Sequence, residues 1–490
     1  MGSTSIKKNF AYNMLYQVLA IIVPLITSPY LSRVLGADNI GIYSWTYSIV
    51  FYFMIFSTLG INNYGNRTIA ASRATGDDLS KVFSSIYICQ FVMSSIMLLC
   101  YFIYIFLVAN DYKSIAIIQS INIVSYMLDI TWLFYGLENF KVTVARNTVI
   151  KLLSLVCIFA FVKDASDLWI YTMIVSGAAL IGQVAMWPFA FQNIRIIMPK
   201  IREIIPHIRP ILILFIPVLA ISVFTNMDKY MIGKLSSITQ NGFYENTDKI
   251  IGVPKAVITA LGAVMLPRTA NLIACGQEEK SKKYIELTVI YTMMFASALV
   301  FGMAGVADYF SVVFWGEEFA ECGLLISVMS PAIIFSVLGN IIRTQYLIPR
   351  SKDKEYTLSL IVGAAVNLVI NACLIPFWGA MGAVVGTVIA EFIMTFLQAF
   401  YVRKSVPLIR YILNSWIFVA CGVIMFISLR VFHLILKENV VGLVLLIIIG
   451  GSEYLLLSCL YLGLSKKQSI IELRNSLLGT IKHKVKKRNI

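Results

Sequence analysis

The chain has 490 residues, of which 59% are hydrophobic and only 13% are charged, half of the ~25% that is usual in soluble globular proteins. Mean hydropathy is +0.82, and 40 Lys and Arg residues outnumber 25 Asp and Glu residues. This composition excludes a soluble enzyme, a disordered chain and a secreted disulfide scaffold. It predicts an all-α polytopic membrane protein.

Fourteen apolar segments are each long enough for a transmembrane helix, which needs about 20 residues. Helices are expected because the strands of a membrane barrel would be shorter and would alternate in polarity. The first and eighth segments contain polar residues and prolines, so a hydropathy window could miss either. In chain order, the predicted spans are residues 10–32, 40–60, 82–108, 114–137, 142–162, 168–191, 209–233, 242–266, 284–306, 322–347, 356–376, 380–402, 410–432 and 440–463.

The positive charges are distributed unevenly between the two sides of these fourteen spans. One side, which includes both termini, holds 29 Lys and Arg residues, and the other side holds six. Cytoplasmic loops of membrane proteins are rich in Lys and Arg, so both termini are predicted to lie in the cytoplasm. The basic end of the chain suits an anionic lipid surface, and nucleic acid is not an expected partner.

Two similar motifs predict an internal repeat. Residues 39–43 (Asn-Ile-Gly-Ile-Tyr) open span 2, and residues 240–244 (Gln-Asn-Gly-Phe-Tyr) open span 8, six spans later. An even number of spans between them indicates parallel repeats related by an axis along the membrane normal. The predicted organisation is an N-lobe (1–194), a cytoplasmic linker (195–208), a C-lobe (209–405), an added helix pair (406–464) and a basic tail (465–490).

Ionisable residues inside the spans are the candidate functional groups, because a charge at mid-membrane costs at least about 2.5–3.5 kcal/mol. Basic groups in a cavity suit an anionic ligand such as a phosphate, while neighbouring carboxylates suit coupling to H⁺ or Na⁺. The candidate substrate-binding residues are Lys249, Lys151, Arg343, Lys255, Lys229 and Arg33. The candidate ion-coupling residues are Asp248, Asp129, Asp228, Glu245 and Glu391. Internal salt bridges and snorkelling side chains are the competing interpretation.

No cofactor or metal site is expected. The eight cysteines show no C-x-x-C spacing, and the three histidines form no H-x-x-x-H pair. No Gly-rich phosphate-binding loop is present, so ATP hydrolysis is not expected.

Several motifs resemble those of Wzx-type polysaccharide repeat-unit flippases, which belong to the multidrug/oligosaccharidyl-lipid/polysaccharide exporter superfamily. In the first half these are residues 24–37 (Pro-x4-Pro-Tyr-Leu-Ser-Arg-Val-Leu-Gly-Ala) and 59–67 (Leu-Gly-Ile-Asn-Asn-Tyr-Gly-Asn-Arg). In the second half they are residues 241–249 (Asn-Gly-Phe-Tyr-x3-Asp-Lys), Leu-Pro-Arg at 266–268 and the segment 371–383. The resemblance covers about residues 9–405.

This resemblance implies a MATE/MurJ-like fold of two six-helix lobes in a V shape, plus two extra C-terminal helices. It also implies a non-enzymatic transporter that moves an undecaprenyl-diphosphate-linked oligosaccharide to the outer leaflet of the bacterial cytoplasmic membrane by ion-coupled alternating access. Membrane lipids and polysaccharide assembly proteins such as a polymerase are candidate partners, and a monomer is expected.

The resemblance also suggests a role for Lys249. Lipid II flippases of the superfamily carry an Asp-Arg pair followed by a proline in span 8, and Asp248-Lys249 with Pro254 is similar. The lysine keeps the charge but loses the bidentate fork. Lipid II flippases also carry arginines inside spans 1 and 2, whereas Arg33 and Arg67 lie at span ends here, which argues against lipid II as the substrate. Spans 13 and 14 form a groove for the lipid tail in those relatives.

Two alternatives stay open. A cation-coupled multidrug antiporter of the same fold would need a carboxylate-rich cavity and normally an Asp in span 1, which has none here. A membrane glycosyltransferase or polymerase would need a large outer loop with acid/base residues, but the longest predicted outer loop is residues 307–321.

Overall fold

The structure, a computed structural model, describes residues 3–76, 78–108, 111–468, 470–472 and 474. Helices account for most of this chain, as the composition predicts. The chain forms two compact units that separate between Glu245 and Asn246. Most of the predicted basic tail (465–490) lies outside the described residues.

The first unit is built from nine helices and the start of a tenth, with a short 3₁₀ turn at Ala165–Asp167. Within it, α1 packs against α3, α4, α6 and α9. The helices are α1 (Ser3–Thr58), α2 (Ile61–Thr75), α3 (Leu79–Leu107), α4 (Lys113–Met127), α5 (Thr131–Gly136), α6 (Phe140–Phe161), α7 (Leu168–Val184), α8 (Trp187–Ala190), α9 (Ile201–Leu235) and α10 (Ile238–Ala274).

The second unit contains the rest of α10 and eight further helices. Here α11 packs against α12, α13, α17 and α18, and α14 packs along α15. A π-helical turn (Arg343–Leu347) and 3₁₀ turns (Glu317–Phe319, Ile348–Arg350) interrupt the helices. The helices are α11 (Glu278–Trp315), α12 (Glu321–Met329), α13 (Ala332–Ile342), α14 (Asp353–Trp378), α15 (Ala380–Val402), α16 (Leu408–Asn414), α17 (Trp416–His433) and α18 (Val440–Leu464).

Each of the fourteen predicted spans coincides with a helix or with a helix broken by a turn. Within the described chain, twelve helical stretches are long and apolar enough to cross a membrane. The number is lower than fourteen for two reasons. The first two spans fall in one continuous stretch, Ile22–Thr75, and α10, the eighth span, is not among the twelve.

Gly36 separates the first two predicted spans within α1. Its backbone has φ 76° and ψ 174°, which is not helical. A residue with a Cβ adopts a positive φ only at a steric cost, whereas glycine does so freely. The chain can therefore break the helix at a single residue, and the predicted loop between spans 1 and 2 is almost absent.

The two motifs that predicted the repeat contact each other. A Cβ on Gly41 would lie 2.0 Å from the carbonyl oxygen of Ile238, and a Cβ on Gly242 would lie 2.1 Å from that of Ala37. Positions 37 and 238, like 41 and 242, are equivalent under the repeat offset. The contact is therefore reciprocal, as expected for a two-fold relation between equivalent elements. The boundaries of the predicted lobes themselves remain a prediction.

Small residues bring α14 and α15 together, as the rows of Gly and Ala in spans 11 and 12 indicate. A Cβ on Gly382 would lie 2.6 Å from the backbone of Leu374, and one on Gly386 would lie 2.1 Å from Oδ1 of Asn371. Such close approach is typical of helix packing in membranes. It places the polar side chains of α14 directly beside α15.

Two predicted connections are shorter than expected. Helix α11 continues through the predicted outer loop 307–321 as far as Trp315, because Tyr309 and Trp315 are buried and extend its packed face. The predicted linker 195–208 becomes helical at Ile201, where the backbone N–H of Lys200 donates to the Glu203 carboxylate over 3.0 Å. The connection between α11 and α12 is therefore a short segment that contains the 3₁₀ turn Glu317–Phe319.

Candidate functional site

In the first unit, two of the predicted residues form a buried ion pair. Lys229 of α9 lies with its Nζ 2.8 Å from Oε2 of Glu245 at the start of α10. The hydroxyl of Ser44 on α1 donates to the same oxygen over 2.8 Å. Glu245 is only 8% exposed. The pair therefore lets an acid and a base lie within an apolar bundle with their charges compensated.

Tyrosine side chains lie near this pair. Tyr244 donates a hydrogen bond to Asp228, which is buried beside Lys229 in sequence. Tyr43 stacks on Tyr47 with ring centroids 5.8 Å apart, and Tyr171 of α7 meets Tyr43 edge-on at 4.8 Å. Asp228 and Glu245 thus lie in a polar, aromatic environment within the first unit.

In the second unit, Lys255 of α10 and Glu391 of α15 form another buried pair. Lys255 Nζ lies 2.9 Å from Glu391 Oε1, and Glu391 is 3% exposed. The other carboxylate oxygen, Oε2, is buried and accepts no hydrogen bond from the described residues. A buried carboxylate oxygen without a donor is costly, so this oxygen is available to a further polar group.

Arg343 is held by neutral groups. Its Nη2 donates to Oδ1 of Asn340 over 2.7 Å and its Nη1 to the hydroxyl of Tyr356 over 3.2 Å. Its Nε is buried without an acceptor, and no carboxylate pairs with it among the described residues. It begins the π-helical turn Arg343–Leu347, a geometry that is frequent at functional sites. Arg343 can therefore direct an uncompensated positive charge towards an anion.

Asp129 has a local structural contact. It lies in the break between α4 and α5, where its Oδ1 accepts a hydrogen bond from the Thr131 backbone N–H over 2.9 Å. Gln90 donates to the Asp129 carbonyl over 2.7 Å. These bonds satisfy polar backbone groups that the break exposes.

The remaining predicted residues lie on three helices. Asp248 and Lys249 are half-buried on α10, and Lys151 is half-buried on α6. Arg33 is exposed on α1, just before the break at Gly36. The structure thus pairs two candidate bases with two candidate acids and leaves the functional roles of all eleven residues as predictions.

Several buried amide side chains of the second unit are not among the predicted site residues. Gln345 is fully buried, and neither its Oε1 nor its Nε2 has a hydrogen-bond partner among the described residues. Asn371 donates to Oδ1 of Asn367 over 3.2 Å, and Gln398 donates to Ser359 over 3.2 Å. Buried amides with unused atoms are typical places for water or a ligand. In the sequence, the feature that could have indicated these side chains is the presence of Asn and Gln residues within the apolar spans 10–12.

Two apolar cavities also lie in this unit. The larger, of about 420 Å³, is lined by α11, α17 and α18, including Met303, Leu446 and Gly451. The smaller, of about 370 Å³, lies between α13, α15 and α16. Among the described residues, no group of three His, Cys, Asp or Glu side chains could hold a metal ion.

Comparison with known proteins places the sequence in a recognised group. A family model described as "Polysaccharide biosynthesis protein" matches residues 6–273. A protein of Escherichia coli K12 named "Putative O-antigen transporter" is 23% identical over 408 residues, which cover 82% of this chain and 97% of the relative.

Solved structures show the fold. A lipid II flippase in an inward closed conformation matches with a TM-score of 0.73 and 12% identity, over 92% of this chain and 98% of that one. An inward-facing multidrug MATE transporter matches with a TM-score of 0.58 and 12% identity, over 80% of this chain and 99% of that one. The MATE/MurJ-like fold expected from the sequence is therefore confirmed.

Proposed function

The chain belongs to the polysaccharide biosynthesis protein family, and from this membership we propose that it is a flippase for a lipid-linked oligosaccharide repeat unit. The substrate would be carried on undecaprenyl diphosphate or phosphate and would move from the inner to the outer leaflet of the bacterial cytoplasmic membrane. The relative named as an O-antigen transporter, which this chain matches over nearly its whole length, supports transport rather than catalysis.

The environment of Arg343 is the main structural support for this proposal. It is a guanidinium in an apolar bundle whose described partners, Asn340 and Tyr356, are neutral. A permanent cation at such a position is costly unless an anion approaches it. A lipid-linked diphosphate supplies that anion, and the planar fork of arginine matches phosphate oxygens. A cation antiporter would gain nothing from this residue.

Coupling to an ion gradient is proposed at Glu391. Its Oε1 is held by Lys255, while its Oε2 is buried without a described donor. Addition of H⁺ would weaken the pair with Lys255, and a Na⁺ ion at Oε2 would compete with it. Either event changes the interaction between α10 and α15, so that ion binding and helix position become linked.

The larger apolar cavity is the proposed binding site for the lipid tail of the substrate. It is lined by the two added helices, α17 and α18, together with α11. An isoprenoid chain is apolar, and such a cavity needs no polar groups to hold it. The unequal distribution of Lys and Arg supports cytoplasmic termini. In this proposal the protein acts as a monomer and cooperates with a polymerase.

Mass spectrometry of lipid-linked oligosaccharides tests the proposal in cells of the source species that lack this protein. Lipid-linked repeat units should accumulate, and the parent gene should restore their export. The variant Arg343→Gln should restore export poorly at normal protein level, whereas Lys354→Gln, at an exposed lysine of α14, should restore it fully.

A second experiment tests the proposed coupling of transport to an ion gradient. Glu391→Gln keeps the shape of the side chain and removes its charge, so transport should lose its response to the proton or sodium gradient. Full export by the Arg343 variant, or no accumulation of lipid-linked intermediates in the deletion, would show that the proposed function is wrong.

A further inference from the structure

The smaller apolar cavity of the second unit has an aromatic wall. Phe392, Phe396 and Phe400 follow one another at four-residue spacing on α15, so they share one face of the helix. All three line the cavity and are 45–55% exposed. Phe335 of α13 packs edge-on against Phe392, with ring centroids 5.2 Å apart. The cavity is therefore a slot between α13, α15 and α16, with aromatic rings along α15.

One end of this slot is basic. Arg403, which follows α15, and Arg410 on α16 both line the cavity, and both are exposed. The guanidinium of Arg403 lies over the Phe400 ring, 3.4 Å from its centroid, and donates to the Phe400 carbonyl over 2.9 Å. Neither arginine forms an ion pair with a described carboxylate. Two positively charged side chains thus line the apolar slot.

The position of the charges distinguishes this cavity from the larger one. The larger cavity, beside α17 and α18, has no charged residue in its lining. In the smaller cavity both arginines lie at the same end, on the connection between spans 12 and 13. The distribution of Lys and Arg predicts that this connection faces the cytoplasm, where anionic lipids attract basic residues.

The chemistry of an amphiphilic anion fits this arrangement. Guanidinium groups bind phosphate oxygens through two parallel hydrogen bonds, and a slot of aromatic and aliphatic side chains binds an acyl chain. A free phosphate would leave the rings unused, and a neutral lipid would leave the arginines without an anion.

We propose that this slot is a binding site for an anionic phospholipid of the inner leaflet, with the phosphate at Arg403 and Arg410 and one acyl chain along Phe392, Phe396 and Phe400. This site is separate from the charged residues assigned to substrate transport. Its occupant is a lipid of the surrounding bilayer that binds the protein itself.

The test measures thermal unfolding of the purified full-length protein in neutral detergent, with phosphatidylglycerol or phosphatidylcholine added. Phosphatidylglycerol should raise the midpoint of the parent protein, and phosphatidylcholine should raise it less. In Arg403→Gln/Arg410→Gln the apparent affinity for phosphatidylglycerol should fall by at least about tenfold. The control Arg202→Gln/Lys354→Gln, which removes two exposed charges of the same sign elsewhere, should keep the parent affinity.

A second variant separates the slot from its charges. Ala399→Trp places a large side chain in the cavity lining and leaves both arginines intact. It should also abolish stabilisation by phosphatidylglycerol. If the double arginine variant binds phosphatidylglycerol as the parent does, or if inorganic phosphate alone gives the same stabilisation, the proposal is wrong. Should the arginine variant fold poorly, the tryptophan variant decides: unchanged stabilisation by the lipid in that variant also overturns the site.

Discussion

At the scale of single residues, Lys229 and Lys255 show how this chain carries lysines inside an apolar bundle. Each lies within 2.9 Å of a glutamate oxygen from another helix. Removing one partner of a buried pair leaves an uncompensated charge, which costs about 3–5 kcal/mol. These lysines therefore contribute to the folded state, whatever part their pairs also play in transport.

Lys249 is predicted to differ from Lys229. It is half-buried on α10, at the position where related flippases are expected to bind the diphosphate of the lipid carrier. A hydrogen bond to a charged group is worth about 1.5–3 kcal/mol, or roughly 10- to 150-fold in affinity. Lys249→Ala should therefore cripple polymer export at nearly normal protein level, and Lys249→Arg should retain export.

Lys229→Ala is the matched control for this experiment. It should lower the amount of folded protein, since the buried ion pair between Lys229 and Glu245 would be lost. Both effects are measured by immunoblotting of membranes together with quantification of surface polysaccharide. A loss of protein in Lys249→Ala as large as that in Lys229→Ala would assign Lys249 to folding instead of ligand binding.

At the scale of elements, the close contact between α1 and the start of α10 depends on two glycines. In Gly242→Ala the new Cβ would lie 2.1 Å from the Ala37 carbonyl oxygen, so the helices must separate. Overpacking of this kind typically costs about 1–3 kcal/mol. The unfolding midpoint of the purified variant should therefore fall clearly.

Gly252→Ala is the control on the same helix. A Cβ at Gly252 would meet no atom within 4 Å, and alanine favours a helix over glycine by about 1 kcal/mol. Its midpoint should stay equal to that of the parent or rise. Equal midpoints for Gly242→Ala and the parent would contradict the reciprocal glycine contact.

At the scale of the whole molecule, the orientation in the membrane is the main prediction. Reporter fusions after residues 78, 200, 280 and 480 should all indicate the cytoplasm, and a fusion near 315 should indicate the exterior. The prediction rests on the 29 Lys and Arg residues of one side against six on the other and on the positive-inside rule. An exterior signal at residue 200 would overturn the division into six plus six spans.

The sequence by itself determined the helices and the family. Apolar runs of 20 residues can satisfy their backbone only as helices in a membrane, so all fourteen spans were predictable from local composition. Gly41 and Gly242 were visible because a motif repeats after 201 residues. Motifs such as residues 59–67 predicted the flippase family, since these features are continuous in the chain.

The tertiary structure alone decided which charges compensate one another. Glu245 on α10 is joined to Lys229 of α9 and to Ser44 of α1. The pair between Lys255 and Glu391, and the slot between Phe335, Phe392 and Arg410, also join residues that are distant in sequence. Such contacts depend on how helices pack side by side, and the hydropathy of a single helix carries no record of its neighbour.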